Sequence, residues 1–90
     1  MKQDKKVIVL TVGATALSFA PTEVEYNDYM NELMPDNKVA PAHNFLFNTV
    51  VEDSKHDLRE ITSSNPGAAV QIAASVMEEY APKLEIKVKK

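Results

Sequence analysis

The chain has 90 residues, a length that predicts one small domain. Its hydrophobic fraction of 44% and charged fraction of 26% are typical of an ordered globular protein and argue against wholesale disorder. The formal net charge of -3 argues against a dedicated nucleic-acid binder, which would carry a concentrated basic excess.

Cysteine content and hydropathy bear on the compartment. The chain contains no cysteine, which favours the reducing cytoplasm because small secreted domains usually depend on disulfides. The apolar run at 7–20 contains no charged residue but is short of the roughly twenty apolar residues that a membrane helix needs. We therefore predict no transmembrane segment, no membrane partner and no nucleic-acid partner.

The N-terminal segment has the outward parts of a secretory signal peptide. Lysines Lys2, Lys5 and Lys6 precede an apolar run that ends in small residues. Asp4, however, places a negative charge where a signal peptide should be positive. Pro21 would follow the cleavage point, and a prolyl bond is a poor protease substrate.

The same segment is patterned like two strands. VIVLTV is β-branched or aliphatic throughout, GAT supplies a reversal, and in ALSFA the apolar Leu17 and Phe19 alternate with small residues. We therefore predict a β-hairpin over 6–20 and keep a small secreted binding domain as an alternative.

A first helix is predicted over 22–33. Thr22 and Glu25 have the spacing of a capping box, and Pro35 ends the helix through its effect on the preceding residue. An apolar stripe at helical spacing is predicted to face the core: Tyr26, Tyr29, Met30 and Leu33.

A second helical segment is predicted over 41–62, either continuous or interrupted with a restart at Ser54. Phe47 and Val51 lie to the side of its apolar stripe. The residues of that stripe, predicted to face inward, are Ala42, Phe45, Leu46, Thr49, Val50, Leu58 and Ile61.

A last helix is predicted over 65–80, with Ser64 or Asn65 as N-cap and Pro66 in the first turn. Its predicted core face consists of Ala69, Ile72, Ala73, Val76, Met77 and Tyr80. Residues 83–89 alternate charged and apolar side chains, which predicts a half-exposed strand that returns to the hairpin. The predicted fold class is α+β, with an N-terminal β-hairpin plus a C-terminal strand in a small antiparallel sheet, covered by three or four helices.

A helix face with Glu52, His56 and Glu60 four residues apart, and Asp53 beside them, offers carboxylates and an imidazole to a divalent ion. A solvated face with i,i+4 pairs explains the same spacing, and no cysteine or nearby second histidine completes a metal site. We predict no metal site.

Catalytic and phosphate-binding patterns are weak. Ser54, His56 and Asp57 lack the strand–turn–helix frame of a nucleophile, and glycines only at positions 13 and 67 cannot form a glycine-rich phosphate loop. The segment 65–67 can present helix amides to an anion, yet a plain helix cap explains it. We predict a non-enzymatic protein with no catalytic site and no cofactor.

Two long runs, EYNDYMNELMPDNKVAPAHNFLFNTVV and NPGAAVQIAASVMEEYAPKLEIKVKK, together with TVGATALSFAPT, resemble the small tail assembly chaperones of tailed bacteriophages and prophages. The resemblance covers nearly the whole chain. It implies a non-enzymatic protein in the cytoplasm of the bacterial host that binds the phage tape-measure protein and helps to recruit tail-tube subunits. In some phages a longer frameshifted product exists, and this chain would then correspond to the short form.

The resemblance makes exposed apolar residues the candidate partner-binding residues. We predict that Met34, Phe45, Phe47 and Val51 contribute to a surface that covers an apolar helical partner, although Phe45 also suits the core. The alternative for all four is packing inside the domain. A structural tail or baseplate subunit of a phage or prophage is an alternative function, and a homo-oligomer is expected because small domains with apolar surfaces often dimerise.

Overall fold

A computed structural model describes residues 6–89. In chain order its elements are β1 (Ile8–Val12), β2 (Thr15–Phe19), α1 (Glu23–Glu32), α2 (Val39–Thr49), α3 (Glu52–Ser64) and α4 (Ala68–Tyr80). A hairpin covered by helices confirms the predicted α+β class. Among the described residues, each helix is too short or too polar to span a bilayer.

The predicted N-terminal hairpin is confirmed. β1 and β2 pair antiparallel, from Ile8 opposite Phe19 to Val12 opposite Thr15, with a two-residue loop. Gly13 opens that loop with φ of 61°, as the first central position of a type II′ turn requires. The charged residues that bear on a signal peptide and lie outside the described residues are Lys2, Asp4 and Lys5.

The hairpin contributes a large share of the core. Leu17 and Phe19 of β2 are fully buried and Ile8 of β1 is nearly so, because the inner face of the hairpin packs on the helices. β2 contacts α3, β1 contacts α4, and α2 lies against both α1 and α4. Pro41, Thr49 and Ser54 of the helices are buried as well. The buried hydrophobic residues of the helices are Tyr29, Ala42, Phe45, Leu46, Leu58, Ala68, Ala69, Ile72, Ala73 and Val76.

Helix α1 begins as its sequence predicts. The backbone N–H and the hydroxyl of Thr22 both donate to the Glu25 carboxylate at 2.7 Å. Tyr29 is buried and stacks on Phe45 with ring centroids 4.9 Å apart. The prediction that Met30 faces inward is wrong, since 39% of this residue is exposed.

The second predicted helical segment is two helices that break at Val50 and Val51, before the predicted restart at Ser54. The break exists because the chain there pairs with the hairpin. Val50 bridges to Phe19, and the Val51 N–H donates to the Ser18 carbonyl at 2.9 Å. These contacts require extended backbone and are long-range, so local propensity does not reveal them.

Helix α4 begins three residues later than predicted. Gly67, with φ of 82°, is its N-cap, so the predicted cap at Ser64 or Asn65 is wrong. Asn65 instead ends α3, and its side-chain amide donates to the Ile61 carbonyl at 3.0 Å. Pro66 precedes α4 rather than lying in its first turn.

The predicted C-terminal strand is not seen. Residues 81–89 are exposed and carry no strand pairing, so the sheet of the described chain has two strands. The alternating pattern favours extended backbone, but a strand also needs a neighbour to satisfy its backbone groups. The described part of the chain places no neighbouring strand beside residues 81–89.

Candidate partner-binding surface

Met34 lies in the connection between α1 and α2. Its backbone N–H and carbonyl both pair with Asn37, at 3.2 and 3.1 Å, so the side chain is displayed by a tight turn. The residue is 54% exposed. Such a position suits contact with another molecule.

Phe45 does not belong to a surface. It is only 3% exposed and its ring stacks on Tyr29 inside the core. Phe45 therefore takes the alternative position that the sequence left open for it, packed inside the domain. The physical reason is the periodicity of α2, which places Phe45 on the same inward face as Ala42 and Thr49.

Phe47 and Val51 are both half-buried at the C-terminal end of α2. The Phe47 ring stacks on His43 at 4.5 Å between centroids, and the Arg59 guanidinium carbon lies 5.8 Å from the Phe47 centroid. One edge of the ring thus packs against the core while charged and imidazole groups frame it. We call these two apolar residues, Phe47 and Val51, the Phe47–Val51 surface.

The four predicted residues do not form one patch. Met34 precedes the N-terminal end of α2, whereas the Phe47–Val51 surface lies at the other end. Most of α2, a helix of 11 residues and about 16 Å, lies between the two. Two more exposed apolar residues lie near Met34 in the chain and were missed from the sequence: Met30, which was assigned to the core stripe, and Val39, the first residue of α2.

The residues weighed above for catalytic and metal-binding roles, which the sequence analysis set aside, lie either in the core or on an exposed helix face. Ser54 is buried, and its hydroxyl oxygen accepts a hydrogen bond from the Ser18 N–H at 2.9 Å. His56 lies in the exposed part of α3, 3.9 Å from Glu60, as an i,i+4 pair. Over residues 6–89 no three histidine, cysteine or acidic residues cluster as metal ligands.

An open groove of about 700 Å³ runs between β1 and the helices α3 and α4. Its lining includes Leu10 and Val12 of β1, Ile61 of α3, and Ile72 of α4. No sequence pattern indicated it, because it forms where three elements that are distant in the chain leave a space between them.

These features define a small α+β protein with exposed apolar side chains and a groove lined by both apolar and polar residues, as in domains that bind other polypeptides. A family described as phage tail assembly chaperone matches residues 8–90, so the chain belongs to the phage tail assembly chaperone family, as the sequence resemblance predicted.

One similar protein from Haemophilus phage HP1 (strain HP1c1) is described as an uncharacterized 11.3 kDa protein in the lys 3′ region. It is 32% identical over 85 residues, which cover 94% of this chain and 82% of the phage protein. No solved structure shows significant similarity to the chain.

Proposed function

We propose that this protein binds the phage tape-measure protein and promotes assembly of the tail tube, as a non-enzymatic chaperone in the cytoplasm of the bacterial host. The observation that carries the proposal is the family match over residues 8–90. The family description names tail assembly, and the tape-measure protein is the tail component whose chemistry most needs a chaperone.

A tape-measure protein is a long, largely helical chain whose apolar stripes would aggregate before the tail forms. A chaperone must cover such stripes reversibly, and an amphipathic helix binds through apolar residues at helical spacing. The Phe47–Val51 surface and the exposed Met34 offer apolar contacts of this kind. We propose that Met34, Phe47 and Val51 bind the partner, and that Phe45 supports α2 from within.

The test is capture of the tape-measure protein by tagged chaperone during co-expression, followed by measurement of the affinity. Phe47→Asp and Val51→Asp each place a charge in the apolar contact and should weaken binding by at least about tenfold. Asn48→Asp introduces the same residue at the adjacent exposed position and should bind like the parent protein.

Circular dichroism and thermal unfolding of each variant separate loss of contact from loss of fold. Two folded variants that bind as the control does would contradict the assignment of the surface. Failure of the parent protein itself to bind any tape-measure segment would contradict the proposed function.

A structural tail or baseplate subunit is the second candidate, favoured by one observation. The outer edge of β1 has no neighbouring strand among the described residues, so a neighbouring subunit's sheet could extend it. A structural subunit persists in purified phage particles, whereas a chaperone is absent from them. Mass spectrometry of such particles distinguishes the two.

A further inference from the structure

The two edges of the hairpin differ. The outer edge of β2 is closed by the segment between α2 and α3: the Val51 N–H donates to the Ser18 carbonyl, and the Ser18 N–H donates to the Ser54 hydroxyl, both at 2.9 Å. Further along, the Ala20 N–H donates to the Thr49 carbonyl at 2.8 Å. This edge therefore has no room for another strand.

The outer edge of β1 is open. The N–H and carbonyl of Ser18 make their hydrogen bonds on the side away from β1. Ser18 and the opposite residue, Val9, therefore form a non-hydrogen-bonded pair. The N–H and carbonyl of Val9 therefore point outward, and by alternation so do those of Thr11. Within residues 6–89 no group makes a hydrogen bond to these backbone atoms.

The groove lies beside this open edge. Leu10, Ile61 and Ile72 give it apolar walls, and Gln71 and Ser75 of α4 stand at its rim. An extended segment placed there would find backbone partners along one side and apolar contacts beneath. Edge and groove together form a receptor for a strand with one apolar face.

The C-terminal segment of the chain has the complementary properties. Leu84, Ile86 and Val88 alternate with charged residues and are 72%, 81% and 83% exposed. Extended, residues 83–89 span about 23 Å, enough to cover the roughly 17 Å of β1. Within residues 6–89 of one copy, therefore, both a potential strand and a strand receptor are without a partner.

We propose that the protein forms a reciprocal dimer in which residues 83–89 of each copy add as a strand to β1 of the other. The apolar side chains of the segment enter the groove, and Glu85, Lys87 and Lys89 face solvent. This assembly does not depend on the proposed chaperone function. It satisfies the open edges of both copies and buries six large apolar side chains.

The geometry favours a second copy over the segment's own β1. The Lys6 ammonium, next to the start of β1, donates to the Glu79 carbonyl at 2.7 Å, so the end of α4 lies beside the beginning of β1. A chain that docked on its own groove would have to reverse at once after Tyr80. Ala81 has φ of -129° and Pro82 cannot adopt the left-handed conformation that commonly turns the chain after a helix.

The overall dimensions agree with an extended segment that leaves the domain. The radius of gyration is 14.2 Å, against about 12 Å for a compact chain of this length. Exchange of such a segment between identical copies is a low-cost route to a dimer.

The first test measures the dimer dissociation constant of the full-length protein by analytical ultracentrifugation. Ile86→Asp should raise it about a hundredfold or more, because each dimer loses two buried side chains and each tenfold step equals about 1.4 kcal/mol. Lys87→Asp changes the charge of the segment more than Ile86→Asp does, but Lys87 lies on the solvent face of the proposed strand. It should therefore leave the dimer dissociation constant within about threefold of the parent value. Ile86 is exposed in the single copy, so the substitution does not threaten the fold.

The second test identifies which chain supplies the strand. The protein has no cysteine, so a thiol crosslinker can react only with the cysteines that are introduced. A tagged chain with Thr11→Cys, mixed with an untagged chain with Lys87→Cys, should yield a crosslinked heterodimer with a short thiol crosslinker. The same tagged chain mixed with Asn31→Cys, an exposed site on α1, should not.

Three results would overturn the proposal. The first is a parent protein that stays monomeric at every concentration. The second is a dimer that Ile86→Asp leaves intact, since another face would then form the interface. The third is crosslinking only within a chain that carries both Thr11→Cys and Lys87→Cys, since the strand would then dock on its own β1.

Discussion

Replacement of Ser54 by alanine tests how the hairpin is attached to the helices. The Ser54 hydroxyl accepts the Ser18 N–H at 2.9 Å, and this bond joins the first turn of α3 to the edge of β2 across 36 residues of sequence. Ser54→Ala leaves the Ser18 N–H facing a methyl group in a space where Ser54 itself is only 6% exposed. Water cannot easily replace the lost acceptor.

A buried donor left without an acceptor costs about 1–3 kcal/mol, and we expect the lower half of that range because Ser18 is only half-buried. A loss of about 1–2 kcal/mol lowers the melting temperature of a domain of this size by about 4–16 °C. In urea, with a slope near 1 kcal/mol per molar, it lowers the unfolding midpoint by about 1–2 M.

Ser63→Ala is the matched control. Ser63 lies in the exposed last turn of the same helix, so the substitution brings the same small gain in helix propensity without removal of a buried acceptor. The difference between the two variants isolates the bond from Ser18. Equal unfolding midpoints for the two variants would refute the idea that this bond fixes the hairpin on α3.

Two other predictions concern stability. Burial raises the pKa of the Tyr29 phenol above its ordinary value of 10.0, so the folded state binds the proton more tightly. The free energy of unfolding should therefore fall as the pH rises above 10. Urea titrations at pH 8 and 11 measure this fall, and it should be smaller in Tyr29→Phe because that variant has no phenol to ionise. Gly13→Ala should lower stability by about 1–2 kcal/mol although the site has space, because φ is 61°, and Gly13→Asn should lose less in the same titration.

The elements that local sequence determines could be predicted. The hairpin follows from β-branched residues around a glycine at the turn, and the start of α1 follows from the spacing of Thr22 and Glu25. Phe45 and Phe47 could be placed on different faces by helical periodicity. The burial of Phe45 also depends on Tyr29, whose ring stacks on it from another helix.

What could not be predicted depends on long-range partners. The break at Val50 exists because that residue bridges to the hairpin. The sequence offered Ser54 only as a possible helix restart, and its role in holding the hairpin depends on a bond from Ser18, 36 residues away. Residues 83–89 have a strand pattern, but whether a strand forms depends on a neighbouring strand, and the described part of the chain places none there.

The two proposed surfaces lie on opposite sides of α3. Arg59 stands over the Phe47 ring, while Ile61, two residues later and so about 200° around the helix, lines the groove beside β1. A strand-exchanged dimer would therefore leave both Phe47–Val51 surfaces uncovered.

A long helical partner that repeats its apolar stripe could occupy both surfaces of such a dimer at once. Linked sites of this kind can raise overall affinity about 10²–10⁴-fold without a new contact, provided that the geometry permits simultaneous binding. Self-association would then raise the overall affinity for a tape-measure chain, while each single contact stays weak enough to dissociate. Ile86→Asp should in that case weaken capture of a long tape-measure segment but not of a short one that carries a single stripe, whereas Phe47→Asp should weaken both.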